Sequence, residues 1–202
     1  MTYDLLASFI LFTLVSSLTP GPNNLMLMAS GANFGIRRSI PHAAGIFIGF
    51  PVMIIVIGLF VTQAFQTYPK LHTYLTYASI AYLLFLSYKI ATAAPRLGDD
   101  DTQKQGTPIT FLQAAGFQWV NPKAWTMALT AVTVYTPQPI EAFYVMIVAL
   151  IFGLVCIPCT SLWVGMGTQI RHFLSTPRRL RAFNWLMAVL LVASVLPVLN
   201  IW

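Results

Sequence analysis

Lys123 is a strong candidate for chemistry in this chain. It follows Asn121 and Pro122 in the stretch "FQWVNPKAWTMALTA", inside an otherwise apolar segment. A lysine deep in a membrane span costs at least a few kcal/mol, and such charges mark functional sites by default. No Asp or Glu lies near the middle of any apolar segment, since Asp4 and Glu141 sit near segment ends. Lys123 thus lacks an acidic partner in sequence, which leaves room for a carboxylate brought by a substrate. A second candidate stretch is Thr19-Pro20-Gly21-Pro22-Asn23-Asn24, again within an apolar run. Each proline removes a backbone donor and clashes with the carbonyl four residues earlier, so both places must break a helix. Past a break, free N–H groups and the positive end of a new half-helix favour an anion. The freed carbonyls, with the amides of Asn23, Asn24 and Asn121, can accept from an ammonium group. A zwitterionic amino acid suits both. Gln118 and Thr126 flank the second break and complete the candidate substrate-binding set of Thr19, Pro20, Gly21, Pro22, Asn23, Asn24, Gln118, Asn121, Pro122, Lys123 and Thr126.

The elements that must position these residues are membrane spans. The chain has 202 residues, of which 57% are hydrophobic and 8% charged, against roughly 25% charged in soluble domains. Six apolar segments are near or above the roughly 20 residues that cross a bilayer. They cover about 4–34, 40–62, 71–93, 111–135, 142–168 and 183–201. The expected architecture is all-α: a polytopic membrane protein of six transmembrane helices in a single transport domain, 1–202. The N-terminus lacks a basic stretch and its apolar run is too long for a signal peptide, so the first segment is expected to be a retained span. A hydrophilic loop at about 94–110, "PRLGDDDTQKQGTP" at its heart, divides the chain.

Loop charges set the orientation. Arg37, Arg38, Lys89, Arg96, Lys104, Arg171, Arg178, Arg179 and Arg181 fall on one side, and Lys70 alone on the other. Both termini are therefore expected outside the cytoplasm. The same sidedness accounts for the net charge of +6 without a nucleic-acid partner.

The two broken segments match each other. Placing Asn121-Pro122 on Thr19-Pro20 gives an offset of 102 residues, about half the chain. Three spans separate the copies, so repeat two (about 111–202) is inverted relative to repeat one (about 4–93). Paired, interrupted segments in inverted halves point to a transporter binding site near the midplane.

At these residues the chain resembles the LysE/RhtB family of amino-acid exporters. The likeness rests on "TPGPNN", on "GIRRSIPHAAGIFIG" leading into the second span, and on "QWVNPK" in the fourth, and it extends over essentially the whole chain. "FQWVN" and "LTAVTVYTPQ" further resemble the cysteine/O-acetylserine exporter branch. The resemblance implies inner-membrane export of a small neutral amino acid, driven by the proton gradient, with no cofactor and no resident metal. Two departures stand out. Ser39 and Pro41 occupy positions where relatives often carry small residues, and Cys156 stands near the place of an acid that relatives often have in span five. With that acid missing, Lys123 itself is the candidate coupling group: charged while it holds a carboxylate, free to give up its proton when empty.

Other features admit other readings. Cys156 and Cys159 form "CIPC", which in a redox protein would be a dithiol. A membrane thiol–electron carrier is therefore an alternative, although no basic neighbour is at hand to activate a thiol, and two buried small side chains is the simpler reading. Few intramembrane carboxylates argue against a small-ion transporter. No Ser/His/Asp set, metal cluster or phosphate loop suggests an enzyme. His42, just after Arg37 and Arg38, is expected to cap the membrane interface. Gly45 and Gly49 form G-x-x-x-G, suited either to packing within the fold or to a homodimer face.

Overall fold

A computed structural model of the protein describes residues 1–61, 70–93, 107–137, 139–174 and 176–193. The central loop with Arg96, Asp99 to Asp101 and Lys104, and the end of the chain past residue 193, lie outside the described residues. Among the described residues the fold is all-helical, with no strand. The helices are α1 (Tyr3–Leu18), α2 (Pro22–Val56), α3 (Lys70–Ala91), α4 (Phe111–Gln118), α5 (Pro122–Tyr135), α6 (Ala142–Phe173) and α7 (Pro177–Ala193). A short π-helical stretch, Ile57–Val61, continues α2.

Both expected breaks are present. α1 stops at Leu18 and α2 starts at Pro22, with Gly21 as its N-cap. α4 stops at Gln118 and α5 starts at Pro122, with Asn121 as its N-cap. Proline at the first helical position is well suited to a helix start, because its missing N–H is one that has no partner there anyway.

α2 is two helices in one continuous tract. Gly35 has φ 75° and ψ 176°, a conformation outside the helix and open to glycine. It separates an arm at 22–34 from an arm at 36–56. The expected loop at 35–39 is thus a single-residue turn, and Arg37 and Arg38 already belong to the second arm. Ser39 fastens this turn: its hydroxyl donates to the Gly35 carbonyl at 2.9 Å and lies 2.8 Å from the Ser30 hydroxyl. α6 runs on to Phe173, past the expected end at 168, and carries Pro158 without interruption.

Among the described residues, two helical tracts are long and apolar enough to cross a membrane: Pro22–Phe60, which includes the Gly35 turn, and Ala142–Phe173. Large apolar side chains stand outward on several helices, among them Leu11, Leu14 and Val15 on α1, Phe143 and Leu150 on α6, and Trp185 and Val189 on α7. A soluble surface rarely carries so much contiguous apolar area.

α2 and α6 form the spine of the molecule. Gly31 lies against the backbone of Val164, and Gly167 against the backbone of Met28, so each glycine admits the other helix at backbone distance. Such close approach by small residues is how membrane helices gain packing contacts. Gly45 and Gly49 serve the same purpose against α4, facing Phe111, Ala114 and Ala115. The G-x-x-x-G stretch therefore packs within the chain. Two apolar clusters build the interior. One gathers Leu25, Met26, Leu83, Phe117, Trp163 and Leu180; the other gathers Phe9, Phe50, Ile54, Ala128, Val148 and Phe152. Phe152 anchors the second, edge-on to Phe50 at 4.7 Å and to Phe9 at 6.0 Å.

Candidate functional site

The two helix breaks meet through Lys123. Its ammonium group donates to the Thr19 carbonyl at 2.8 Å, to the Thr19 hydroxyl at 3.0 Å and to the Pro20 carbonyl at 3.5 Å. The charge that lacked a partner in sequence is thus held by neutral oxygens of the opposite break, about half the chain away. These oxygens are available because the prolines and Gly21 interrupt the helix. Gly21 also makes space for the lysine: a Cβ there would come within 2.9 Å of Lys123 Cδ and 3.1 Å of Nζ.

Side-chain amides close the rest of the junction. Asn23 and Gln118 form a reciprocal pair, Asn23 Nδ2 donating to Gln118 Oε1 at 2.9 Å and Gln118 Nε2 to Asn23 Oδ1 at 3.2 Å. Gln118 also donates to the Ala114 carbonyl. Asn24 Nδ2 donates to the carbonyls of Ser17 and Thr19, both at 2.8 Å, and so ties the end of α1 to the start of α2. Asn121 accepts from the Lys123 backbone N–H as the N-cap of α5. The carbonyl of Ser16, freed by Pro20, takes the Thr19 hydroxyl at 3.0 Å. The carbonyl of Gln118, freed by Pro122, takes the Asn121 N–H at 3.4 Å. Broken backbone in a membrane persists only when it is satisfied in this way or lines a cavity.

A cavity of about 40 Å³ opens beside the junction, at the seam of the two apolar clusters. Gly21, Asn23, Asn24, Gln118, Asn121 and Lys123 form its polar side. Ile46, Phe50, Met127, Cys156 and Cys159 form much of its apolar side.

Most of the expected residues therefore gather at one place. Thr19 and Pro20 stand just outside the cavity wall, reaching it through Lys123, and Pro22 is buried at the start of α2. Thr126 is exposed, its hydroxyl turned back to the Pro122 carbonyl on its own helix, and it does not face the cavity. Ser16, Ser17, Thr160 and the two cysteines line the cavity without having been read as part of it. Ser16 and Ser17, two hydroxyls in the last turn before a break, were the legible signal. The cysteines are free and buried, and Cys156 Sγ lies 3.8 Å from the Ser17 hydroxyl. No group of three or more potential metal ligands occurs among the described residues. His42 differs from its expected place at the membrane interface: it is wholly buried, and neither ring nitrogen has a hydrogen-bond partner.

Comparison with known proteins adds an independent line. The profile of the LysE type translocator family matches residues 14–196. The chain is 29% identical over 194 residues to the cysteine/O-acetylserine efflux protein of Klebsiella pneumoniae subsp. pneumoniae, covering 95% of each chain. It is 31% identical over 195 residues to the protein of that name from Escherichia coli K12, covering 95% of this chain and 96% of the relative. No solved structure matches the chain significantly.

Proposed function

We propose that this chain, which belongs to the LysE type translocator family, exports small neutral amino acids across the inner membrane by alternating access. Translocators move a solute without transforming it, so no catalytic residue is required. The observation that carries the reading is the bond from Lys123 to the Thr19 carbonyl. It joins two proline breaks at a cavity wall, with the ammonium held only by neutral oxygens.

In this reading the substrate carboxylate takes Lys123 from the Thr19 and Pro20 oxygens, and those oxygens then accept from the substrate ammonium. A carboxylate binds an ammonium group more strongly than a neutral carbonyl does, so the exchange can run toward binding. The junction between the half-helices loosens as it does so, which couples occupancy to movement. Chain geometry supports an inverted repeat. Each break is followed by a half-helix opened by proline, 22–34 in one half and Pro122–Tyr135 in the other. The first half-helices differ in length, α1 being 16 residues and α4 only 8. Six spans, a single transport domain with repeats at about 4–93 and 111–202, and both termini outside the cytoplasm complete the arrangement. Relatives named for cysteine and O-acetylserine efflux direct the choice of substrate to those two compounds. The small apolar wall of Cys156, Cys159 and Met127 suits a short side chain. Protons are the coupling ion in this account, moving inward as substrate moves outward; a lysine charged with substrate and neutral when empty would carry both the same way, so the proton travels by another group.

The test is uptake into inverted vesicles of labelled cysteine, O-acetylserine and a panel of larger amino acids, with and without an imposed pH gradient. Accumulation of the two small substrates only when the interior is acidic supports the reading. Absence of uptake of every amino acid, with the protein shown folded in the membrane, contradicts it.

A further inference from the structure

A second lysine sits in a setting like that of Lys123. Lys89, near the end of α3, donates to Gln113 Oε1 of α4 at 3.1 Å. It has no acidic partner among the described residues. An interfacial lysine ordinarily extends its ammonium group to water or headgroups; this one turns toward the protein and lines a second cavity, of about 20 Å³. Ser30, Asn33, Phe34 and Ile109 share that wall.

The two cavities lie along one arm of α2. The first touches Asn23 and Asn24, the second Ser30, Asn33 and Phe34. Met26 and Ala29 also line the second, so the two linings come within two positions of each other, and their centres are about seven residues of helix apart, roughly 10 Å. The second lies beside the Gly35 turn and Arg37, on the side that loop charge assigns to the cytoplasm. α4 links the two. Gln113, in its first turn, holds Lys89, and Gln118, at its last residue, holds Asn23. Directly beside the second cavity, Asn33 and Asn184 exchange amide hydrogen bonds at 2.6 and 2.9 Å, and Asn184 donates to the Ala93 carbonyl at 3.3 Å. These bonds hold α2, α7 and the end of α3 together on that side.

We propose that the cavity at Lys89 is a loading subsite, which takes the carboxylate of the amino-acid substrate from the cytoplasmic side before it reaches Lys123. This rests on the export reading above. In the absence of substrate Gln113 occupies the lysine, as Thr19 occupies Lys123. The carboxylate replaces Gln113, and release of Gln113 frees one end of α4, whose other end closes the central cavity.

The test uses the full-length protein in proteoliposomes, with initial rates of labelled cysteine entry measured from each face. Lys89→Met is expected to raise the half-saturating concentration from the cytoplasmic face by about tenfold, the loss of one charge-assisted hydrogen bond, and to leave the outer face unchanged. Lys89→Arg restores it. Gln113→Glu gives an independent check. It keeps the Thr110 capping box, in which glutamate serves as well as glutamine, and supplies Lys89 with a carboxylate of its own. If Lys89 loads substrate, this variant weakens cytoplasmic entry as Lys89→Met does, with no loss of thermal stability. Unchanged half-saturation in both variants, or an equal rise on both faces, overturns the subsite while leaving export by Lys123 standing. Failure of the wild-type protein to move any amino acid overturns both.

Discussion

Gly21 and Lys123 share one small space, and each limits what the other can do. Gly21 has φ −175°, extended backbone open to any residue, so its value lies in the missing side chain. Gly21→Ala would place a methyl group against Lys123 Cδ and push the ammonium off the Thr19 carbonyl. Transport should fall by on the order of tenfold or more while the melting temperature changes little, because the displaced atoms belong to a flexible side chain. Parallel vesicle uptake and thermal unfolding separate the two effects. The cysteines are a contrasting case. They line the cavity but are buried and free, so Cys156→Ala with Cys159→Ala should retain transport within a few-fold, and its abolition would instead favour the thiol-carrier reading. The lysine was legible in sequence because a charge in an apolar run has few explanations. Its partner was not, since Thr19 is 104 positions away and a backbone carbonyl leaves no mark in composition. The buried state of His42 was hidden for a like reason: its neighbours Arg37 and Arg38 suggest an interface, and only its full burial in the folded chain reveals otherwise.

At the scale of elements, the breaks were readable because proline and glycine disrupt helices locally, whatever surrounds them. The Gly35 turn was only half readable. A span end at 34 followed from the pattern, but the sequence suggested a loop where one glycine suffices. What made the tight turn possible is the Ser30–Ser39 contact across it, a pairing between two helices. The close contact of α2 with α6 was likewise hidden: Gly31 opens a G-x-x-x-G with Gly35, but nothing in that spacing names Gly167 of α6 as its partner. It makes a clear prediction. Gly31→Ala and Gly167→Ala each drive a Cβ into the backbone of the other helix and should cost roughly 1–3 kcal/mol, the usual range for overpacking. Gly165→Ala meets no atom within 4 Å and should be neutral or slightly stabilising, by up to about 1 kcal/mol from helix propensity. Unfolding curves in detergent compare the three. Equal behaviour at all three positions would dismiss the glycines as packing residues.

At the scale of the whole molecule, the central cavity lies where two apolar clusters meet. Outward-facing apolar side chains on α1, α6 and α7 agree with a lipid environment, and loop charges give that environment a direction. In a variant with Cys156 and Cys159 removed, single cysteines at Thr2 and Trp202 should react with an impermeant reagent added from outside. Reaction at both only after permeabilisation would invert the topology, and opposite behaviour of the two ends would end the inverted-repeat account.

The central claim is that Lys123 binds the substrate carboxylate, and a pair of substitutions tests it most directly. Labelled substrate binding and pH-gradient-driven flux are measured side by side for Lys123→Met and Lys123→Arg in proteoliposomes. Methionine keeps the length and removes the charge, so binding and flux should both be lost while the protein stays folded in the membrane. Arginine keeps the charge and cannot deprotonate, so it should still bind substrate far better than methionine does. Near-normal binding and transport by Lys123→Met would contradict the claim and make the lysine a structural tie between the two breaks.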